Sequence, residues 1–227
     1  MKLSFELIQA GPTEPIQVDI RTCIVAGWAG RDLAAIEHHI EELAELGVPR
    51  PSAVPLYYHI ASNQLTQEEE VEVVGDGSSG EAEVFIFSHQ GKTLISLVSD
   101  HTDRKLEAHS VALSKQLCAK PVARAAWAYD DVADYWDELI LRAWIEEGGK
   151  QALYQEGPLA LLRPPLDLVE GHFGQPAIPE HAGMTCGTVA AIGPIRPAPS
   201  FTMELFDPRR DRSIRHSYTL RVLPEVA

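Results

Sequence analysis

Residues 80–100 read Gly80-Glu81-Ala82-Glu83-Val84-Phe85-Ile86-Phe87, a polar turn, then Thr93-Leu94-Ile95-Ser96-Leu97-Val98-Ser99-Asp100. His101-Thr102-Asp103-Arg104 follows, and Ser114-Lys115 lies farther on. The Val, Phe and Ile content predicts a strand from Glu81. Strand side chains alternate, so Glu81, Glu83, Phe85 and Phe87 share one face. Two carboxylates at the mouth of an apolar face are costly unless neutralised. A hard divalent cation such as Mg²⁺ neutralises them with oxygen ligands. If the run Leu94 to Val98 pairs with the first, through a turn at Gly91 and Lys92, Asp100 returns toward Glu81 as a third ligand. The alternative is a solvated outer face for the two Glu and a turn role for Asp100.

Working outward, residues 2–9 and 16–26 predict short strands, and residues 32–46 a helix. Leu33, Ile36, Ile40, Leu43 and Leu46 recur there at spacings of three and four, with Asp32 as N-cap and Gly47 as stop. Residues 52–60 predict a strand entered through Pro55. Residues 65–72 are acidic and read as a solvated surface segment. Residues 105–117 predict a helix with Leu106, Leu113 and Leu117 inward. Residues 139–145 and 150–154 predict a hairpin through Gly148-Gly149, and residues 159–169 a helix or mixed segment. Residues 201–206 and 213–223 predict a closing hairpin. The expectation is one mainly β domain with flanking helices, an α+β fold over residues 1–227.

Composition bounds the function. The chain has 227 residues, 45% hydrophobic, with 19 Lys plus Arg against 33 Asp plus Glu, a net charge of −14. That balance argues against nucleic acid and anionic membranes as partners. No apolar leader or membrane-length run is visible, and three scattered cysteines, Cys23, Cys118 and Cys186, fit a reducing cytoplasm. Trp127, Trp136 and Trp144 are expected in the core or at an interface. Arg209, Arg210, Arg212 and Arg215 form the one basic cluster in the sequence, expected at a solvated hairpin or subunit contact.

The ordered motifs resemble the catalytic domain of the fumarylacetoacetate hydrolase superfamily, and within it the branch DUF2848. The family's Glu-x-Glu is matched by Glu81-Ala82-Glu83. Its Asn-Asp-x-(Ser/Thr)-Ala-Arg-Asp-Leu-Gln is similar to residues 99–107. Its Lys-Ser-Phe-Asp segment is echoed from Lys115, and its Thr-Gly-Thr-Pro loop is similar to Thr185-Cys186-Gly187-Thr188. Residues 27–223 carry the resemblance, with residues 1–26 as N-terminal strands. It implies a mixed β-roll, Glu81, Glu83 and Asp100 as ligands of Mg²⁺ or Mn²⁺, and Arg104 and Lys115 as basic groups approaching the substrate. Gly187 and Thr188 fall in the loop that binds a substrate carboxylate. His39 with Glu42 is the candidate general base pair, with His38 as runner-up. A homodimer is also implied.

The activity implied is hydrolysis of an acylpyruvate-like 2-oxo or 1,3-diketo acid, the C–C bond breaking with an enolate as leaving group. The alternatives are hydratase, tautomerase or decarboxylase chemistry on a 2-oxo acid, or a non-catalytic binding protein on the same fold. Ser99, Lys105, Val189 and Ala191 depart from the family pattern. Only 17 positions separate Glu83 from Asp100. The helix usually inserted there is missing, and a more open rim is expected.

Overall fold

The computed structural model describes residues 1–9, 11–45 and 47–226, with the side chains of His39 and Leu43 outside the description. In chain order the strands and helices are β1 (Lys2–Leu7), β2 (Glu14–Asp19), β3 (Thr22–Gly27), α1 (Leu33–Glu45), β4 (Leu56–Ile60), β5 (Leu65–Thr66), β6 (Glu70–Val74) and β7 (Ser78–Ser79). There follow β8 (Ala82–His89), β9 (Lys92–Ser99), β10 (Thr102–Asp103), α2 (Arg104–Glu107), α3 (Val111–Leu117), β11 (Lys120–Pro121) and β12 (Ala125–Ala128). The chain closes with β13 (Ile140–Glu147), β14 (Lys150–Pro158), α4 (Pro165–Phe173), β15 (Ala182–Thr185), β16 (Ser200–Asp207) and β17 (Arg212–Leu223).

Two sheets form the body. An eight-stranded sheet runs β2-β1-β12-β9-β8-β15-β3-β4, and a five-stranded sheet runs β14-β13-β16-β17-β6. The β8–β9 hairpin turns on Gln90 and Gly91, both at positive φ (52° and 75°), as a two-residue loop demands. The turn therefore sits one residue earlier than Gly91-Lys92. Leu3, Phe5 and Leu7 alternate inward on β1, and Phe5 stacks on Phe87 of β8 with ring centroids 4.5 Å apart. In the strand order three steps separate β1 from β8, about 14 Å across a flat sheet. The sheet must curl to close that distance, and the expected β-roll is present as a curled half-barrel. Phe5, Phe85, Phe87, Leu94 and Val98 fill the inside of the curl. Ile24, Val84, Ile86, Leu97 and Trp127 pack from its outside against Leu141, Met203, Leu205 and Ile214 of the second sheet.

Several local expectations change. Residues 16–26 are two strands, broken at Ile20-Arg21. Within the acidic stretch, Val71 and Val73 are buried between exposed glutamates, and β6 pairs parallel with β17. The strand period was hidden by its charges. Residues 105–117 hold two short helices, with Ser110 accepting from Leu113 N at the start of α3. Leu113 and Leu117 are exposed while Ser114 and Lys115 are buried, the reverse of the apolar expectation. An ion pair at Lys115, described below, sets that face. Asp32 caps α1 by accepting from Ala34 N and Ala35 N, as expected, but Leu33 is exposed.

Candidate metal centre

The hairpin register builds the site. Ala82 lies opposite Ser99, so Glu81 falls opposite Asp100, and Asp100 N donates to Glu81 O at 2.9 Å. Glu83 is two residues along the same face. One oxygen from each of Glu81, Glu83 and Asp100 lies within 4.8 Å of the others. Glu83 and Asp100 are buried, and Glu81 is half-buried. Gly187 N donates to Glu83 Oε2 at 2.8 Å. Gly187 is at φ 85°, and a Cβ there would meet Ala29 Cβ at 2.7 Å, so only glycine brings this N–H to Glu83 without strain.

Three cations surround the carboxylates. Lys115 Nζ lies 2.5 Å from Asp100 Oδ2. Lys120 Nζ is fully buried, 3.2 Å from Asp100 Oδ1, and donates to the carbonyls of His101 and Lys115 at 2.5 Å each. Arg104 Nη2 is 3.2 Å from Glu81 Oε1, its Nη1 reaches Glu107, and its Nε donates to Ser79 Oγ at 2.7 Å. Burial works to raise the Asp100 carboxyl, but Lys115 and Lys120 outweigh it and hold the group down to about 2. Glu83 is pushed up to about 8 by burial and by repulsion from Asp100 and Glu81. Lys115 is desolvated, yet Asp100, Glu81 and Glu83 keep its ammonium well above the ordinary lysine value. Burial moves Lys120 the other way.

A buried polar chain backs this cluster. His101 Nδ1 and Nε2 lie 2.9 Å from Tyr218 Oη and Ser78 Oγ, and Ser99 Oγ is 2.8 Å from the same Tyr218 hydroxyl. Burial, then Lys120 and Arg104, drive the imidazole down to about 3, so it is neutral. Thr188 Oγ1 donates to Ala82 O at 2.7 Å and accepts from Gln155 Nε2 at 2.7 Å. Its hydroxyl is thus engaged within the protein. Tyr58 packs its ring 5.9 Å from Lys115 Nζ, and its hydroxyl accepts from Trp28 Nε1 at 3.3 Å.

The structure therefore brings together Glu81, Glu83, Asp100, Arg104, Lys115 and Gly187, with Thr188 beside Ala82. The side chain of His39 lies outside the described residues. His38 is exposed on α1, with Nε2 3.3 Å from Glu42 Oε1. The sequence reading missed Lys120, Glu107, His101 and Tyr58. Glu107 was findable, three residues after Arg104 on a helix. Lys120, in Cys118-Ala119-Lys120-Pro121, had no local signal. All three cysteines are free and buried, and burial pushes Cys23 up to about 12 and Cys118 to about 11, so both are protonated thiols. The arginines of the last hairpin are held at home: Arg209 pairs with Glu138, Arg212 with Asp207, and Arg215 lies over Trp144.

The donor set fits a hard divalent cation. All three groups offer carboxylate oxygen, and buried Asp100 Oδ1 makes no hydrogen bond despite the nearby Lys120. A curled sheet with an acidic triad at the end of its central hairpin is a fumarylacetoacetate-hydrolase-like fold. Its relatives in fold agree. A structure of 2-keto-3-deoxyarabinonate dehydratase matches with a TM-score of 0.67 at 15% identity, over 96% of this chain and 79% of that one. The same dehydratase with magnesium and 2,5-dioxopentanoate gives 0.60 at 14%, over 96% and 79%. The 4-oxalocrotonate decarboxylase of Pseudomonas putida G7, with magnesium and adipate, gives 0.53 at 14%, over 90% and 78%. Residues 26–218 match the family described as protein of unknown function DUF2848, and the chain belongs to that family. No curated protein matches it.

Proposed function

We propose that this protein is a Mg²⁺- or Mn²⁺-dependent enzyme acting on a 2-oxo acid, and that it hydrolyses an acylpyruvate-like C–C bond. The convergence of Glu81, Glu83 and Asp100 carries the reading. A divalent ion held by Glu81, Glu83 and Asp100 would supply a Lewis acid for a 2-oxo acid. The chain's own groups supply the rest. Lys115 places a fixed positive charge beside Asp100, where negative charge on a bound oxygen would be stabilised. Arg104 orients Glu81, and Gly187 N–H orients Glu83. His39, assisted by Glu42, is proposed to move the proton. Dehydration or decarboxylation of a 2-oxo acid is the second reading, favoured because the proteins of similar fold are a dehydratase and a decarboxylase. A homodimer belongs to the same proposal and is tested by light scattering.

Calorimetric titration with Mg²⁺ and Mn²⁺ tests the metal. Saturable binding is expected, weakened at least about tenfold in Asp100→Asn with an unchanged fold. No saturable binding up to millimolar metal removes the reading. Product analysis of a 2-oxo and diketo acid panel then separates C–C hydrolysis from loss of water or CO₂. In His39→Gln, turnover should fall while metal affinity is kept.

A further inference from the structure

Arg104 is the cation that approaches this site from α2, and its charge is already taken up by the protein. Its Nη1 donates to both carboxylate oxygens of Glu107, at 3.1 and 3.4 Å. Its Nη2 faces Glu81 at 3.2 Å, and its Nε is held by Ser79. The Glu107 side chain keeps 23% of its surface exposed. Its carboxylate shares the Arg104 guanidinium with Glu81, so it stands one guanidinium away from the metal centre. Asp103, at the end of β10, points elsewhere: it caps α2 by accepting from Leu106 N and lines a depression with Lys105 and Val74.

The charge balance follows. Glu81, Glu83, Asp100 and Glu107 face Arg104, Lys115 and Lys120. With all seven ionised, a divalent ion leaves one net positive charge, which a single substrate carboxylate cancels. A second carboxylate would enter a largely desolvated site where Arg104, Lys115 and Lys120 each already face a carboxylate of the protein, beside the Glu107 carboxylate. The part-exposed Glu107 carboxylate keeps acceptor capacity beyond its bonds to Arg104 Nη1, which suits a hydroxyl donor. We propose that Glu107 is a specificity-determining residue that restricts the site to monocarboxylic 2-oxo acids with an uncharged far end. This rests on the 2-oxo acid reading above.

The test is a matched pair, 2-oxohexanoate and 2-oxoadipate, which differ in the far carboxylate. Each is titrated calorimetrically into the full chain saturated with Mg²⁺. The wild-type protein should bind 2-oxohexanoate at least tenfold more tightly. In Glu107→Gln, checked for an unchanged melting curve, the gap should close to within about threefold, through tighter binding of 2-oxoadipate. Glu107→Ala, which also frees Arg104, should favour 2-oxoadipate. Equal wild-type affinities, or a ratio unmoved by both variants, overturns the role of Glu107 and leaves the 2-oxo acid reading standing. Binding of neither acid overturns both.

Discussion

Lys120 shows what a single buried charge does here. Its ammonium has no exposed surface and is held by two main-chain carbonyls and Asp100. One of those carbonyls is that of Lys115, so Lys120 fixes the backbone from which Lys115 reaches the metal centre. Replacing Lys120 by Met strands two acceptors and weakens the compensation of Asp100. Lys120→Met should therefore cost about 3 kcal/mol in urea unfolding, lowering the melting temperature by about 6–12 °C. A loss under 1 kcal/mol would show that Lys115 alone carries Asp100. Glu81, Glu83 and Asp100 were legible because period-two alternation and a short turn fix their relative places. Lys120 was not, because a lysine after Cys-Ala reads as surface until a partner 20 positions away is known.

At the scale of elements, the loop after β15 closes the site. It delivers Gly187 N–H to Glu83 and Thr188 to Ala82 O. Gly187→Ala places a Cβ against Ala29 in a left-handed conformation. About 2 kcal/mol of destabilisation is expected, with a several-fold loss of Mg²⁺ affinity as the N–H leaves Glu83. Adding Ala29→Gly should return part of the stability, since it relieves the contact but not the φ. No rescue would place the cost in the backbone alone. Hairpins joined by local turns, such as β13–β14 at Gly148-Gly149, could be read from sequence. Pairings such as β15 with β3 and β6 with β17, both parallel, could not, because nothing local encodes which distant strand is the neighbour. The α3 face was misread for a related reason: an ion pair, not its leucines, decides what is buried.

For the whole molecule, the centre couples stability to pH. Glu83 has its folded value raised to about 8 from 4.5. Its contribution is fully present below about pH 4.5 and is lost as pH rises through 8. Asp100 is depressed from 3.8 to about 2, so its contribution is present above about pH 4 and lost as pH falls through 2. Chelator-treated protein should lose up to about 1.4 kcal/mol per pH unit from Glu83 between pH 6 and 8. Glu83→Gln should flatten that slope in melting curves. Mg²⁺ requires Glu83 ionised, so the Mg²⁺-induced rise in melting temperature should be larger at pH 8 than at pH 6. An equal rise would mean that Glu83 is not a ligand. The two-residue turn at Gln90-Gly91 has a further consequence, in time rather than in space. It gathers all three carboxylates within a 20-residue span, and closing so short a loop costs little chain entropy. The donors should meet early on the folding path, before the loop carrying Gly187 arrives from 104 positions away. Mg²⁺ added to the refolding buffer should then speed folding in stopped-flow experiments. If it slows only unfolding, the centre is assembled last.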